Sequence, residues 1–252
     1  MLQSSNPTLK AFTEAQTLAP GAVGTMTFGG TLAKTGILLG LCTVTAVTSW
    51  QYVSSGAQSG SGTLALFGSA IGALVLSLVI TFNPRSAPFL APIYALLEGA
   101  VLGILSWFIP TMYSKAPEAM VLQAVGLTLG ISAALLVTYS LGLVRIGSTA
   151  AKVIAVACGG VCIYYAAVLV LQLCGMHIVG LGWQGGWPGI AFSLFVIVLA
   201  SLSLVLDFQH IEAGVARGMP KRMEWYGAFS VMVTLVWLYV EILRLLSKLN
   251  RR

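Results

Sequence analysis

Asp207 ends an apolar run in "SLSLVLDFQHIEAG", after 54 consecutive positions that hold no Lys, Arg, Asp or Glu. His210 follows at i+3, on the same face of a helix, and Glu212 comes shortly after. A D-x-x-H pair has the chemistry to bind a divalent cation, although two ligands alone are a weak metal signal. Glu98 poses the same question in "PIYALLEGAVLGILSWF", about ten residues from either end of its apolar run and so near mid-membrane by helical rise. Lys34, Glu241 and Arg244 are further charges that fall inside apolar segments. Ionisable groups in such places are costly, and they face a bundle interior or a water-filled path.

Each of these residues also has a structural reading. Lys34 lies in the first turn of its segment and can snorkel to the surface. Glu241 and Arg244 stand at i, i+3 and can neutralise each other near a membrane face. Glu98 either lines an ion path or is a protonated structural acid bonded to a hydroxyl or carbonyl. Asp207 sits at the shallow end of its segment, either as a solvated helix-end acid or as the partner of Arg85. The loop that carries Arg85 is expected on the same side, so a latch between Asp207 and Arg85 is topologically allowed.

The segments that must position these residues are hydrophobic. Of 252 residues 58% are hydrophobic and 8% charged, against about 25% charged in a soluble domain; the mean hydropathy is +0.93. The long Leu-, Val-, Ala- and Gly-rich runs exclude a soluble fold and favour helices over barrel strands. Seven runs near the ~20 residues needed to cross hydrocarbon fall at about 32–53, 63–82, 88–109, 119–143, 150–174, 189–210 and 225–246. The spacing therefore predicts an all-α polytopic membrane protein: a cytosolic N-terminal segment over 1–30, with a short amphipathic helix around "LKAFTEAQTL", and one seven-helix domain over 31–252. No cleavable signal is visible. Gly68/Gly72, Gly99/Gly103 and Gly126/Gly130 form G-x-x-x-G pairs suited to close helix packing. Trp50, Tyr52, Trp107, Trp183, Trp187, Trp225 and Tyr226 lie near segment ends as interfacial anchors. Cys42, Cys158, Cys162 and Cys174 all lie in apolar segments and read as small fillers, not as a disulfide framework.

A net charge of +6 reads as loop charge that orients a membrane protein, not as a nucleic-acid surface. With the N-terminus inside, eight Lys and Arg fall on the inner side and five on the outer. The basic tail "RLLSKLNRR" resists this count, because seven crossings would export it. Either the last segment does not fully cross or the earlier loops dominate. No H-E-x-x-H, no G-x-S-x-G and no pair of span aspartates is present, so an enzyme is not expected.

The stretches "NPTLKAF", "TLAKTGILLGL", "APIYALLEGAVLGILS", "SLVLDFQHIEAG" and "PKRMEWYGAFSVMVTLVWLYVEILRLL" resemble the bacterial branch of the Bax inhibitor-1/YccA family. That resemblance implies six helices around a central seventh, and a pH-sensitive calcium leak. It also implies an acidic pair, one acid in span six and one in span seven, bridged by an arginine when closed. Asp207 matches the first acid, and Arg85 is the counterpart of the arginine. At the second acid's place the chain has Thr234, with Glu241 seven residues later.

The function expected is thus a pH-modulated leak for calcium or other cations in the bacterial inner (plasma) membrane, with the N-terminus cytoplasmic. Glu98, Asp207, Arg85, Thr234 and Glu241 form its path or gate, and Ca²⁺ binds only transiently, at Glu98 and Asp207. No resident cofactor is expected. Partners are the lipid bilayer and the cation. The alternative is a non-conducting regulator that contacts a partner such as a membrane protease.

Overall fold

The computed structural model describes residues 24–55, 61–113, 117–174 and 186–250. The amphipathic stretch expected near the N-terminus, Trp183 and the last two arginines lie outside them. Seven long helices follow in order: α1 (Phe28–Ser54), α2 (Ser61–Phe82), α3 (Ala87–Tyr113), α4 (Pro117–Ser140), α5 (Ser148–Leu173), α6 (Trp187–Ala216) and α7 (Met223–Asn250). A short 3-10 turn, Pro84–Ser86, joins α2 to α3.

Six of these helices are long and apolar enough to cross a membrane, and a shorter apolar stretch, Gly68–Phe82, accounts for α2. The protein is a polytopic helical membrane protein. Its outward faces are hydrocarbon-like, with Ile71 and Leu74 of α2, Leu122 of α4 and Val156 and Ile163 of α5 all largely exposed. Its interior, by contrast, holds Glu224, Glu241 and Lys248. Water would penalise such an arrangement; lipid favours it.

The helices outrun the apolar segments that announce them. α1 begins at Phe28 because Thr27 caps it, its Oγ1 accepting from the Gly30 N–H at 3.0 Å. The boundary expected at residue 30 therefore falls inside the first helix. α6 continues to Ala216, past the expected end near 210, so Asp207 lies more than two turns inside its helix and not at its edge.

α7 is the most buried span, and it packs against α1, α3, α4 and α6. α2 leans on α3, and α5 leans on α6. The closest pair is α1 and α3. There Gly99 and Gly103 are required, since a Cβ on either would overlap the α1 backbone at Cys42 or Ala46. Association without a hydrophobic drive depends on such close van der Waals contact. Of the other two G-x-x-x-G pairs, Gly126 and Gly130 face open space and Gly72 only touches Leu97.

One end of the bundle gathers the start of α1 and the α6–α7 turn. Thr25 bridges Pro220, the Met26 N–H donates to Met219 O at 2.7 Å, and the Lys221 N–H donates to Gly24 O at 2.7 Å. This end is called the N-terminal face below.

Candidate functional site

The α6–α7 interface carries two polar layers. In the layer nearer the N-terminal face, Asp207 of α6 meets Ser230 and Thr234, which are one turn apart on α7. The Ser230 hydroxyl donates to Oδ1 and the Thr234 hydroxyl to Oδ2, each at 2.6 Å. That length is typical of an O–H donating to a carboxylate. Thr234 Oγ1 also lies 3.2 Å from Ser230 O; with one proton to give, the shorter contact to Asp207 takes it. Thr234 thus stands where the second acid of the resemblance belongs, and it is a neutral donor.

No lysine or arginine pairs with Asp207 among the described residues. The latch expected between Asp207 and Arg85 is not formed. Arg85 is exposed in the 3-10 turn at the N-terminal face, and both Asp207 oxygens are taken by α7 hydroxyls. The depth of Asp207 in α6 explains the difference, since a turn residue at the bundle end does not reach that far in.

The second layer lies towards the opposite face. Glu241 is fully buried. Ser193 donates to its Oε1 at 2.9 Å, and the Tyr165 hydroxyl (3.2 Å) and Arg244 Nη1 (3.3 Å) donate to its Oε2. Lys248, 2% exposed, donates to Gly189 O and to Ser193 Oγ, both at 2.7 Å. The Arg244 guanidinium also stacks 5.0 Å from the Tyr165 ring. The expected neutralisation of Glu241 by Arg244 is present, but inside a network that joins α5, α6 and α7. Nothing in the sequence of α7 alone reveals Ser193, Tyr165 or Gly189 as partners.

Between the layers the interface is apolar and closed. Ser193 precedes Asp207 by 14 residues, roughly 21 Å along α6. Val196, Ala200 and Leu204 on α6 and Leu238 on α7 fill that interval, all with no exposed surface. Ser203 faces α5 there, 3.2 Å from the Cys158 thiol.

Glu98 is half-buried on α3, with the Tyr94 hydroxyl one turn away as its polar neighbour and Cys42 of α1 close by. Asp207 has a different set of neighbours, and among the described residues no three His, Cys, Asp or Glu side chains converge on one point. His210 is exposed.

Sequence reasoning missed Glu224. This first-turn acid of α7 is fully buried. Its Oε1 accepts from the Thr27 N–H and the Thr27 hydroxyl, both at 2.9 Å, and its Oε2 pairs with Lys34. Lys34 does not snorkel into water; it ties the start of α1 to the start of α7, with its ammonium 5.6 Å from the Trp225 ring.

Among curated proteins and among solved structures, none matches the chain. The model of the family described as Bax inhibitor 1 like matches residues 4–251. That span takes in all seven helices and both polar layers of the α6–α7 interface, and on it the chain belongs to the Bax inhibitor 1 like family.

Proposed function

We propose that the protein is a passive leak pathway for cations, calcium among them, that runs along the α6–α7 interface and is closed in this conformation. One observation carries the reading: Asp207, deep in α6, holds two hydroxyls and pairs with no lysine or arginine among the described residues. An uncompensated acid within a span is a site for a cation or a proton. Ser230 and Thr234 form its collar of oxygen donors, suited to a hard cation. Glu241 guards the far end, with its charge balanced by Arg244, and Glu98 is a second acid flanking the bundle core. The apolar plug of Val196, Ala200, Leu204 and Leu238 is the closed gate. Arg85, exposed at the N-terminal face, repels approaching cations instead of latching Asp207.

In this reading the protein lies in the bacterial inner membrane, with six helices grouped about α7 and the N-terminus cytoplasmic. Two of the five cations counted on the outer side, Arg244 and Lys248, are folded into the bundle. They drop out of a rule that counts loop charge, so the exported tail no longer resists that orientation.

Calcium-loaded liposomes containing the purified chain test the proposal. Wild type should leak Ca²⁺ above protein-free vesicles, and Asp207→Asn should lower the flux by roughly tenfold, a loss of about 1.4 kcal/mol of cation stabilisation. Arg85→Ala should raise it modestly at low salt and leave it unchanged at high salt. The unbroken plug favours a second reading if no flux is found in folded wild type: a non-conducting regulator that contacts a partner such as a membrane protease.

A further inference from the structure

A cavity of about 460 Å³ lies on a different side of α7 from Asp207, between α1, α3, α4 and α7. Trp50 and Glu118 line it near the face opposite the N-terminal one, and Leu39 and Leu129 line it deeper in. Eleven residues separate Leu39 from Trp50, and eleven separate Glu118 from Leu129. The cleft therefore runs roughly 16 Å along the helices, about half of a ~30 Å hydrocarbon core, which is the depth of one leaflet. α1 and α4 hardly touch along it. Leu122 and Val125 on its α4 wall are exposed, so the cleft opens sideways into hydrocarbon.

The polar atoms in the cleft satisfy one another. Ser106 Oγ and Tyr239 Oη are 2.7 Å apart, the Thr128 hydroxyl donates to Ala124 O at 2.8 Å, and the Thr43 hydroxyl donates to Leu39 O at 2.8 Å. Nothing inside calls for water, and an apolar cleft without unmet polar groups stays dry. Glu118 differs. Its carboxylate has no hydrogen bond or ion pair among the described residues, and it stands at the mouth beside an interfacial tryptophan. The cleft thus offers hydrocarbon depth for one chain below a carboxylate that has no partner among the described residues.

We propose that this cleft binds one phospholipid, with an acyl chain lying between α1 and α4 and an ethanolamine headgroup seated at Glu118. An ammonium group matches the carboxylate, whereas the net-anionic headgroup of a phosphatidylglycerol is repelled by it. Binding is independent of whether the protein conducts.

Native mass spectrometry of the delipidated full-length chain in detergent tests this, using phosphatidylethanolamine and phosphatidylglycerol of identical chains at equal concentration. Wild type should retain one lipid per monomer and favour ethanolamine by roughly three- to fivefold, the range of a modest charge pair. Glu118→Gln should keep the one-lipid stoichiometry and bring the ratio to about one. Val125→Trp should fill the cleft and remove the retained lipid; should that variant fold poorly, the ratio in Glu118→Gln still decides. An unchanged ratio in Glu118→Gln overturns the proposal, as does a broad adduct series with no tightly held lipid. A dimer that survives delipidation also overturns it and gives the cleft to a helix of a second copy.

Discussion

Thr234 meets Asp207 from the place on α7 where the family resemblance puts a second acid, and a hydroxyl there does different chemistry from a carboxylate. Two carboxylates within hydrogen-bond reach share a proton, because both cannot ionise side by side, and their titration moves into a range where the cell's pH can act on it. One carboxylate between two hydroxyl donors has no such competitor. Cation flux through this protein should therefore depend less on pH near neutrality than it does when an acidic pair is present. Thr234→Asp should restore the pair and steepen that response. The measurement is liposome flux against pH for both proteins; a steep response in wild type, unchanged by Thr234→Asp, would show that another group senses the proton. At this scale the sequence singled out Asp207, Thr234 and Glu241 as residues to follow, and the structure sets Thr234 against Asp207. It could not supply Ser230, Ser193 or Tyr165, because a serine or tyrosine in an apolar run carries no mark of the acid it will meet across a helix interface.

Among the elements, α1 and α7 are joined at their N-terminal ends by a buried ion pair that no local pattern announces, since Lys34 and Glu224 lie 190 residues apart. Glu224 also caps the first turn of α1 through Thr27, so one side chain fixes both the start of α1 and its contact with α7. Lys34 keeps some exposure and Glu224 would keep its two Thr27 donors, so removing the lysine costs less than the roughly 3–5 kcal/mol of a fully buried pair. Lys34→Met should thus lower stability in detergent by about 1–2 kcal/mol, and Lys34→Met with Glu224→Gln should recover part of that loss. Denaturant titration of the two variants checks this; equal stability of the single and double variants would mean that the pair adds nothing beyond its separate contacts. The helices themselves were readable from the apolar runs, since a segment that must hide every backbone amide in lipid has few alternatives. Their ends were not. α6 runs on past the expected end near 210 through Glu212 to Ala216. There the Tyr139 hydroxyl bonds Glu212, and Gln209 Nε2 donates to Ile146 O at 3.2 Å, tying α6 to α4 and to the loop after it. Gly99 and Gly103 show the same limit from the other side: three identical spacings were visible, and only the packing of α1 distinguishes the pair that is needed.

For the whole molecule, the contacts at the N-terminal face constrain the parity of the crossings. Residues 24–26 are hydrogen-bonded to residues 219–221, so the start of α1 and the α6–α7 turn occupy one side of the membrane. Only an even number of crossings between them allows this, and α1 to α6 supply six. α7 then runs unbroken for 28 residues, about 42 Å, which exceeds a ~30 Å hydrocarbon core and leaves no room for a re-entrant turn. Asn250 must end on the opposite side from Arg217. Both positions are exposed, so single cysteines there can be labelled in a chain whose Cys42, Cys158, Cys162 and Cys174 are replaced by alanine. A membrane-impermeant maleimide added to sealed inverted vesicles and to right-side-out cells should label Arg217→Cys in one preparation and Asn250→Cys in the other. Labelling of both from the same side would mean that α7 fails to cross. The cations Arg244 and Lys248 would then lie on the side already rich in loop charge, and the polar network around Glu241 could not form where α5 and α6 place Tyr165 and Ser193.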